Sequence, residues 1–288
     1  MRFQGEDTKN PPQASGGKPV AQSGELSFDE NGTPFSKRYD DIYHSVSGGP
    51  AQAVDVFLAG NALPGRWRAK NRFTVLETGF GLGLNFLATW KAWREDEAAC
   101  HELSYLSIEK HPLTVEELAQ AHALWPEFSA LSEKLRRRWP PVPTGTLIDE
   151  SEARLSLHLY FGDAVDILPI LEKKAVKADV FYLDGFSPSK NPELWTPEIC
   201  RHLARLAAPD ATLATWTVAG SVCAALAAAG FSVEKQPGFG RKRHRLTGHY
   251  CAPLPKHPPP NTNTPSLFSQ KDERNPKPNE ESFTEDCP

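Results

Sequence analysis

A chain of 288 residues, 39% hydrophobic with 15 Phe and 7 Trp, has the material for one large α/β domain or two small ones, which excludes a wholly disordered protein. Its formal charge of −4 excludes a protein that coats nucleic acid without selectivity, yet leaves room for a local basic face. Five scattered cysteines without a CxxC pair, and an N-terminus without an apolar leader, read as reduced thiols in a cytoplasmic protein.

Residues 1–24 are rich in Gly, Pro, Gln and Ser and are expected to be disordered. The expected domain covers residues 25–252, where strand and helix patterns alternate as in an open α/β sheet. Phe73–Gly79 is a short apolar strand that runs into glycines, and Leu84 to Arg94 follows as a helix. Leu103–Glu109 is a second strand. Thr114-Val-Glu-Glu117 is a capping box opening the next helix, because hydroxyl and carboxylate satisfy orphan amides reciprocally. Leu155, Leu157, Leu159 and Phe161 alternate with polar residues as a strand with one buried face, and Gly145 to Asp149 pairs with it as a hairpin. Ala178 to Leu183 is the fourth main strand, and Thr196-Pro197 opens a helix to Ala208.

The stretch from Ala211 to Phe231 carries no charge over about the length of a membrane span. It is mostly Ala, Thr, Gly and Ser and changes pattern partway, so it reads as a buried strand and a packed helix; no membrane is expected. Phe231 to Gln236 and Arg243 to Tyr250 end the series as two consecutive strands. That ending predicts a C-terminal antiparallel hairpin on a Rossmann-like, seven-stranded sheet of the kind found in S-adenosylmethionine-dependent methyltransferases. Residues 253–288, with nine prolines and few apolar anchors from Ala252 onward, are expected to be disordered.

The turn Glu77-Thr-Gly79-Phe-Gly81-Leu-Gly83-Leu-Asn85 joins a strand to a helix, so backbone can approach a ligand closely at a helix N-terminus. Taken alone, a glycine motif of this kind is weak, and a tight turn that binds nothing is the ordinary alternative. Three further strands end in acidic residues: Glu109, placed to accept from ribose hydroxyls; Asp163, placed to accept from an adenine amine; and Asp184. Ligands of open α/β sheets bind outside the carboxyl ends of the strands, so these ends converge on one crevice. S-adenosylmethionine fits the set better than NAD: it has no pyrophosphate to cradle, and its sulfonium and ammonium suit acidic strand ends. Glu77, Gly79, Gly81, Gly83, Asn85, Glu109, Asp163 and Asp184 are therefore the candidate cofactor residues.

Asp184-Gly-Phe-Ser-Pro188-Ser-Lys-Asn191-Pro192 forms a rigid loop over the expected methyl-donor position. Asp184 is the candidate catalytic residue, since its carboxylate can orient an amine and receive its proton. Phe186, Pro188, Lys190 and Asn191 are candidates for substrate contact. His111, His158 and His202 have no mutual ligand spacing, and no metal is expected.

Five strings resemble the methyltransferase half of the MnmC family, which matures 5-methylaminomethyl-2-thiouridine at the tRNA wobble position. They are Leu-Glu-Thr-Gly-Phe-Gly-Leu-Gly-Leu-Asn-Phe-Leu (76–87), Phe-Tyr-Leu-Asp-Gly-Phe-Ser-Pro-Ser-Lys-Asn-Pro-Glu-Leu-Trp-Thr (181–196) and Pro-Gly-Phe-Gly-Arg-Lys-Arg (237–243), with Gly-Thr-Pro-Phe-Ser-Lys-Arg-Tyr-Asp-Asp-Ile-Tyr (32–43) and Trp-Pro-Glu (125–127). The match spans roughly residues 26 to 252. It implies methyl transfer from S-adenosylmethionine to the amine of 5-aminomethyl-2-thiouridine, with Asp41 and Tyr43 in a segment that closes over the site. It also implies the stand-alone form called MnmD, a monomer, with the Pro-rich tail in place of the FAD-dependent oxidase domain and a separate oxidase as a partner.

Under this resemblance the basic run Arg241-Lys242-Arg243-His-Arg245 is a candidate contact for the tRNA anticodon arm, with Arg136-Arg-Arg138 as another; the plain alternative is a solvated face. Rival readings are a small-amine methyltransferase, which needs no basic cluster, and a non-catalytic RNA-binding adaptor of the same fold, which needs no Asp184. An NAD-dependent dehydrogenase fits the glycine spacing less well.

Overall fold

A computed structural model describes residues 25–68, 70–139, 145–149 and 154–251. The segments 1–24 and 253–288, expected to be disordered, lie outside the described residues.

The chain opens with three short strands, β1 (Leu26–Phe28), β2 (Pro34–Ser36) and β3 (Asp41–Ile42), paired as a small antiparallel sheet. A helical turn α1 (Gly49–Gln52) continues into a wider π turn over Ala53–Leu58. The large sheet then begins with β4 (Arg72–Thr78), α2 (Leu84–Glu95) and β5 (Glu102–Glu109). Helices α3 (Val115–His122) and α4 (Ser129–Arg136) lead to β6 (Gly145–Asp149) and β7 (Leu155–Phe161). After α5 (Ala164–Lys173) come β8 (Ala178–Leu183), α6 (Pro197–Leu206) and β9 (Ala207–Thr215). Helix α7 (Gly220–Ala228) and the strands β10 (Phe231–Pro237) and β11 (His244–Tyr250) finish the domain.

The strand order is β10-β11-β9-β8-β4-β5-β7-β6. The central five strands are parallel, and β10–β11, β11–β9 and β6–β7 are antiparallel. All seven expected strands are present, including the C-terminal hairpin, and the Gly145–Asp149 hairpin adds an eighth at the edge. The chain leaves β4 toward β5 and β7 on one side, then returns to build β8 and β9 on the other. The crevice of such a sheet opens where the order reverses, here between the carboxyl ends of β4 and β8.

The two faces are packed differently. On one, α2 is enclosed: Phe86, Leu87, Trp90 and Thr89 are each at most 2% exposed, beneath a core that includes Phe57, Trp67, Phe73 and Tyr105. The other face carries α5, α6 and α7 over Leu76, Phe181 and Leu213. Burying a large side chain of this kind contributes about 1.5–3 kcal/mol, so both layers hold the strand ends rigidly in register. The capping box forms as expected, with Thr114 Oγ1 accepting from Glu117 N at 3.1 Å and Glu117 accepting from Thr114 N at 3.0 Å. Glu117 also accepts from Leu26 N at 3.1 Å, which ties the small N-terminal sheet to α3. Among the described residues no helix is long and apolar enough to cross a membrane; the uncharged stretch divides into the end of β9 and α7.

Candidate active site

The turn after β4 forms the floor of the crevice. Gly79 has φ +91°, and a Cβ there would sit 2.6 Å from the Asp184 carbonyl oxygen, so β4 and β8 approach at a distance only glycine permits. Gly83, at φ +72°, precedes the first turn of α2, which has no side-chain cap and leaves its amides toward the turn. Gly81 N–H donates to Glu109 Oε2 at 2.8 Å, so the glycine turn and the end of β5 are joined through the Glu109 carboxylate. Glu109 Oε1 accepts from His111 N at 2.7 Å. Burial raises the Glu109 pKa against these amide contacts.

Beneath the floor two acids share one amide. Asn85 Nδ2 donates to Glu77 Oε1 at 2.9 Å and to Asp184 Oδ2 at 2.7 Å. Glu77, 1% exposed, also accepts from Ser107 Oγ at 2.7 Å, and Asp184 Oδ1 accepts from Gly185 N at 2.9 Å. Burial, with the Asp184 charge nearby, pushes the Glu77 carboxyl up to about 8. Burial pushes Asp184 up to about 6, opposed by its contacts from Asn85, Gly185, Trp216 and Lys242. At neutral pH Glu77 is therefore mostly protonated and Asp184 mostly ionised, so the negative charge of the pair lies on the residue facing the cleft.

Asp163 caps α5, accepting from Val165 N at 3.3 Å, and pairs with Lys110 at 2.7 Å. Its pKa is lowered: burial opposes this, but the Lys110 ion pair and the cap amide outweigh it.

The loop after β8 meets the small N-terminal sheet above the floor. Asp41 Oδ2 accepts from Ser187 N at 3.0 Å, and Lys190 pairs with Asp40 at 2.5 Å. Phe186 stacks on Tyr39 with centroids 4.5 Å apart and meets Tyr43 edge-on at 5.2 Å. Trp195 Nε1 holds the Phe186 carbonyl at 3.0 Å, and Trp216 Nε1 holds that of Gly185 at 3.3 Å. These elements enclose a cavity of about 460 Å³, in the size range of small-molecule and cofactor sites.

Of the residues expected from sequence, Gly79, Gly81, Asn85, Glu109, Asp163, Asp184, Asp41, Tyr43, Phe186, Asn191, Arg241 and Lys242 line this cavity. Glu77 lies behind the floor and reaches the cleft through Asn85. Gly83 shapes the turn without lining the cavity, and Pro188, Lys190 and Arg243 also lie off its wall. Arg245, at the end of the basic run, is committed to the Asp55 carboxylate. Sequence reasoning passes over Tyr39, His44 and Trp216 and weighs His111 only as a metal ligand, yet all four line the cavity. Tyr39 and His44 flank residues already singled out in the 32–43 string; Trp216, in the uncharged stretch, offers no signal.

The donor set fits S-adenosylmethionine. The acidic strand ends suit its cationic groups, and the Glu109 carboxylate has lone pairs beyond those used by Gly81 and His111 for a ribose diol. His44 supplies another cue: its Nδ1 lies 3.0 Å from the Ser45 carbonyl, while its buried Nε2 has no partner among the described residues. Burial lowers the His44 pKa, so with Nδ1–H donating to Ser45 the Nε2 is left as a buried lone-pair acceptor.

The sheet order, the glycine turn and the acidic strand ends are those of an S-adenosylmethionine-dependent methyltransferase, and a family model described by those words matches residues 126–250. A tRNA 5-methylaminomethyl-2-thiouridine biosynthesis bifunctional protein MnmC from Azoarcus sp. (strain BH72) is 56% identical over 226 residues, covering 78% of this chain and 35% of that protein. The protein of the same name from Ralstonia nicotianae is 55% identical over 214 residues, covering 74% of this chain and 32% of that protein. The crystal structure of MNMC2 from Aquifex aeolicus superposes with a TM-score of 0.65 at 27% identity, over 80% of this chain and 72% of that one. The chain thus belongs with the methyltransferase part of the MnmC proteins, and it spans about a third of the length of the curated relatives it matches.

Proposed function

We propose that this chain transfers a methyl group from S-adenosylmethionine to the amino nitrogen of 5-aminomethyl-2-thiouridine at the tRNA wobble position, giving 5-methylaminomethyl-2-thiouridine. The observation that carries the reading is the Asp184 carboxylate, which lines the cavity at the reversal point of the sheet and is held between Asn85 and Gly185. The names of the relatives supply the class of substrate.

Bound S-adenosylmethionine supplies a methyl group activated on a sulfonium. The chain must provide an amine with a free lone pair, aligned and sheltered from water. A primary amine is largely protonated at neutral pH. Asp184 accepts a hydrogen bond from that ammonium and receives its proton, a role suited to a carboxylate whose pKa stands nearer neutrality than usual. Asn85 and Gly185 fix the direction of the carboxylate, while Glu77 keeps a proton and adds no second charge. Tyr39, Phe186 and Tyr43 offer aromatic faces on which an unstacked base can rest.

In this reading the substrate arrives with its amine already free, so an oxidative step that exposes the aminomethyl group acts earlier, on a separate FAD-dependent oxidase or a supplying complex. The setting is cytoplasmic. Arg241 at the cavity mouth and the exposed Arg243 meet phosphates of the anticodon arm. Replacing both with Ala should raise the KM for tRNA and leave cofactor affinity intact, as measured by labelled-methyl transfer and calorimetry. The slope of log affinity against log salt should flatten by roughly 0.7–0.9 for each phosphate that is no longer neutralised. Unchanged KM and slope would make these side chains a solvated face and favour the small-amine reading.

A further inference from the structure

Lys242 behaves unlike its basic neighbours. Arg245 is tied to Asp55, and Arg243 is exposed in the turn before β11. Lys242 is exposed as well, but it lines the cavity and sets its ammonium 3.4 Å from the centre of the Trp216 ring. The indole is fixed by its N–H bond to the Gly185 carbonyl, one residue from Asp184. Asp41 and Asp184 both favour the charged lysine, although burial is the larger influence and lowers its pKa. Each carboxylate is held in place, Asp41 by Ser187 N–H and Asp184 by Asn85 and Gly185.

A primary alkylammonium therefore lies against an aromatic face in a cavity whose wall also carries two anchored carboxylates. A lysine side chain ends in CH2–NH3+, and so does a protonated aminomethyl group. Attraction of a cation to the ring quadrupole and to the carboxylates depends on the ammonium, not on the chain that bears it. We propose that Trp216, Asp184 and Asp41 form the subsite for the protonated aminomethyl group of the substrate, and that Lys242 fills this subsite in the free protein and yields it on substrate docking. The inference rests on the reading of the substrate as an aminomethyl base. Once displaced, the flexible lysine stem carries its charge out beside Arg241, where RNA phosphates replace the carboxylates as its partners. The subsite is then released by the polymer that bears the amine, while free amines compete with a built-in occupant.

The test is calorimetric binding of the nucleoside 5-aminomethyluridine, and of uncharged 5-methyluridine as control, to the full chain. If Lys242 holds the subsite about nine-tenths of the time, Lys242→Met should bind the amine about tenfold more tightly than the wild type, with the control unchanged. Trp216→Leu added to Lys242→Met should abolish that gain. Lys242→Arg, which keeps a cation over the ring, should bind the amine as weakly as wild type. Equal amine affinity in wild type and Lys242→Met would overturn the proposal, as would an equal gain for 5-methyluridine, a gain in Lys242→Arg, or a gain that survives loss of Trp216. Methyl transfer to tRNA is followed on the same preparations. No transfer by the wild type would defeat the tRNA reading alone, whereas transfer with unchanged amine affinity in Lys242→Met would defeat the subsite alone.

Discussion

Asp184→Asn should lower kcat for methyl transfer by a factor of about 10²–10⁴, the span usual for a positioned acid–base group. Asparagine preserves the shape of the side chain but removes the proton acceptor and the negative field on the incoming ammonium. Asn85 can turn its amide to suit the new partner, so the floor should survive and cofactor affinity should change far less than turnover. The pH dependence gives a sharper signature. Burial raises the Asp184 pKa to about 6, so the acceptor form is lost as pH falls through that value and is present above it. The wild-type kcat should therefore decline on the acid side near pH 6, and the deficit of Asp184→Asn should shrink as alkaline pH frees the amine unaided. Near-wild-type turnover of Asp184→Asn at neutral pH would leave the residue only a loop-holding role.

Glu109→Ala should weaken S-adenosylmethionine binding by about 1.5–3 kcal/mol, the cost of losing charge-assisted hydrogen bonds. This corresponds to about 10- to 150-fold in Kd, measured by calorimetry. The variant also strips Gly81 N–H and His111 N–H of their acceptor, so part of the loss comes from a loosened turn. Glu109→Gln separates the two contributions: its amide oxygen can still accept from one of the backbone amides, while the charge toward the ribose is gone. An affinity in Glu109→Ala close to that of the wild type would mean that the ribose is held elsewhere in the cavity.

Much of the scaffold is legible in the sequence because three of the central strands are apolar runs closed by a glycine or an acid. Phe73–Gly79, Leu103–Glu109 and Ala178–Asp184 announce both a buried strand and the functional group at its end. The Thr114/Glu117 capping box is visible at its spacing, although its third contact, to Leu26 N, joins residues 91 positions apart and has no local signature. The small N-terminal sheet escapes a sequence reading because strands of two and three residues are too short to show a period. The π turn over Ala53–Leu58 breaks the helical period for the same stretch of sequence.

Within the site, Glu77 reads from sequence as a cofactor contact because it shares the motif with Gly79. Its side chain points beneath the floor, where Ser107 and Asn85 hold it, and strand alternation alone does not tell floor from cleft. Lys242 groups by charge with its neighbours as a phosphate contact. Its placement over Trp216 depends on the packing of the turn before β11 against the end of β9, which a charge run does not encode.

We propose transfer of the methyl group to the amine of an aminomethyl uridine at the wobble position. It is tested most directly by incubating the chain with S-adenosylmethionine and tRNA that bears 5-aminomethyl-2-thiouridine, then digesting the RNA and analysing its nucleosides by mass spectrometry. The expected result is conversion of that nucleoside to its N-methyl derivative, stoichiometric with S-adenosylhomocysteine and absent when the wobble base is unmodified uridine. Methylation at another nucleoside, or turnover on free amines with the tRNA left untouched, would contradict it.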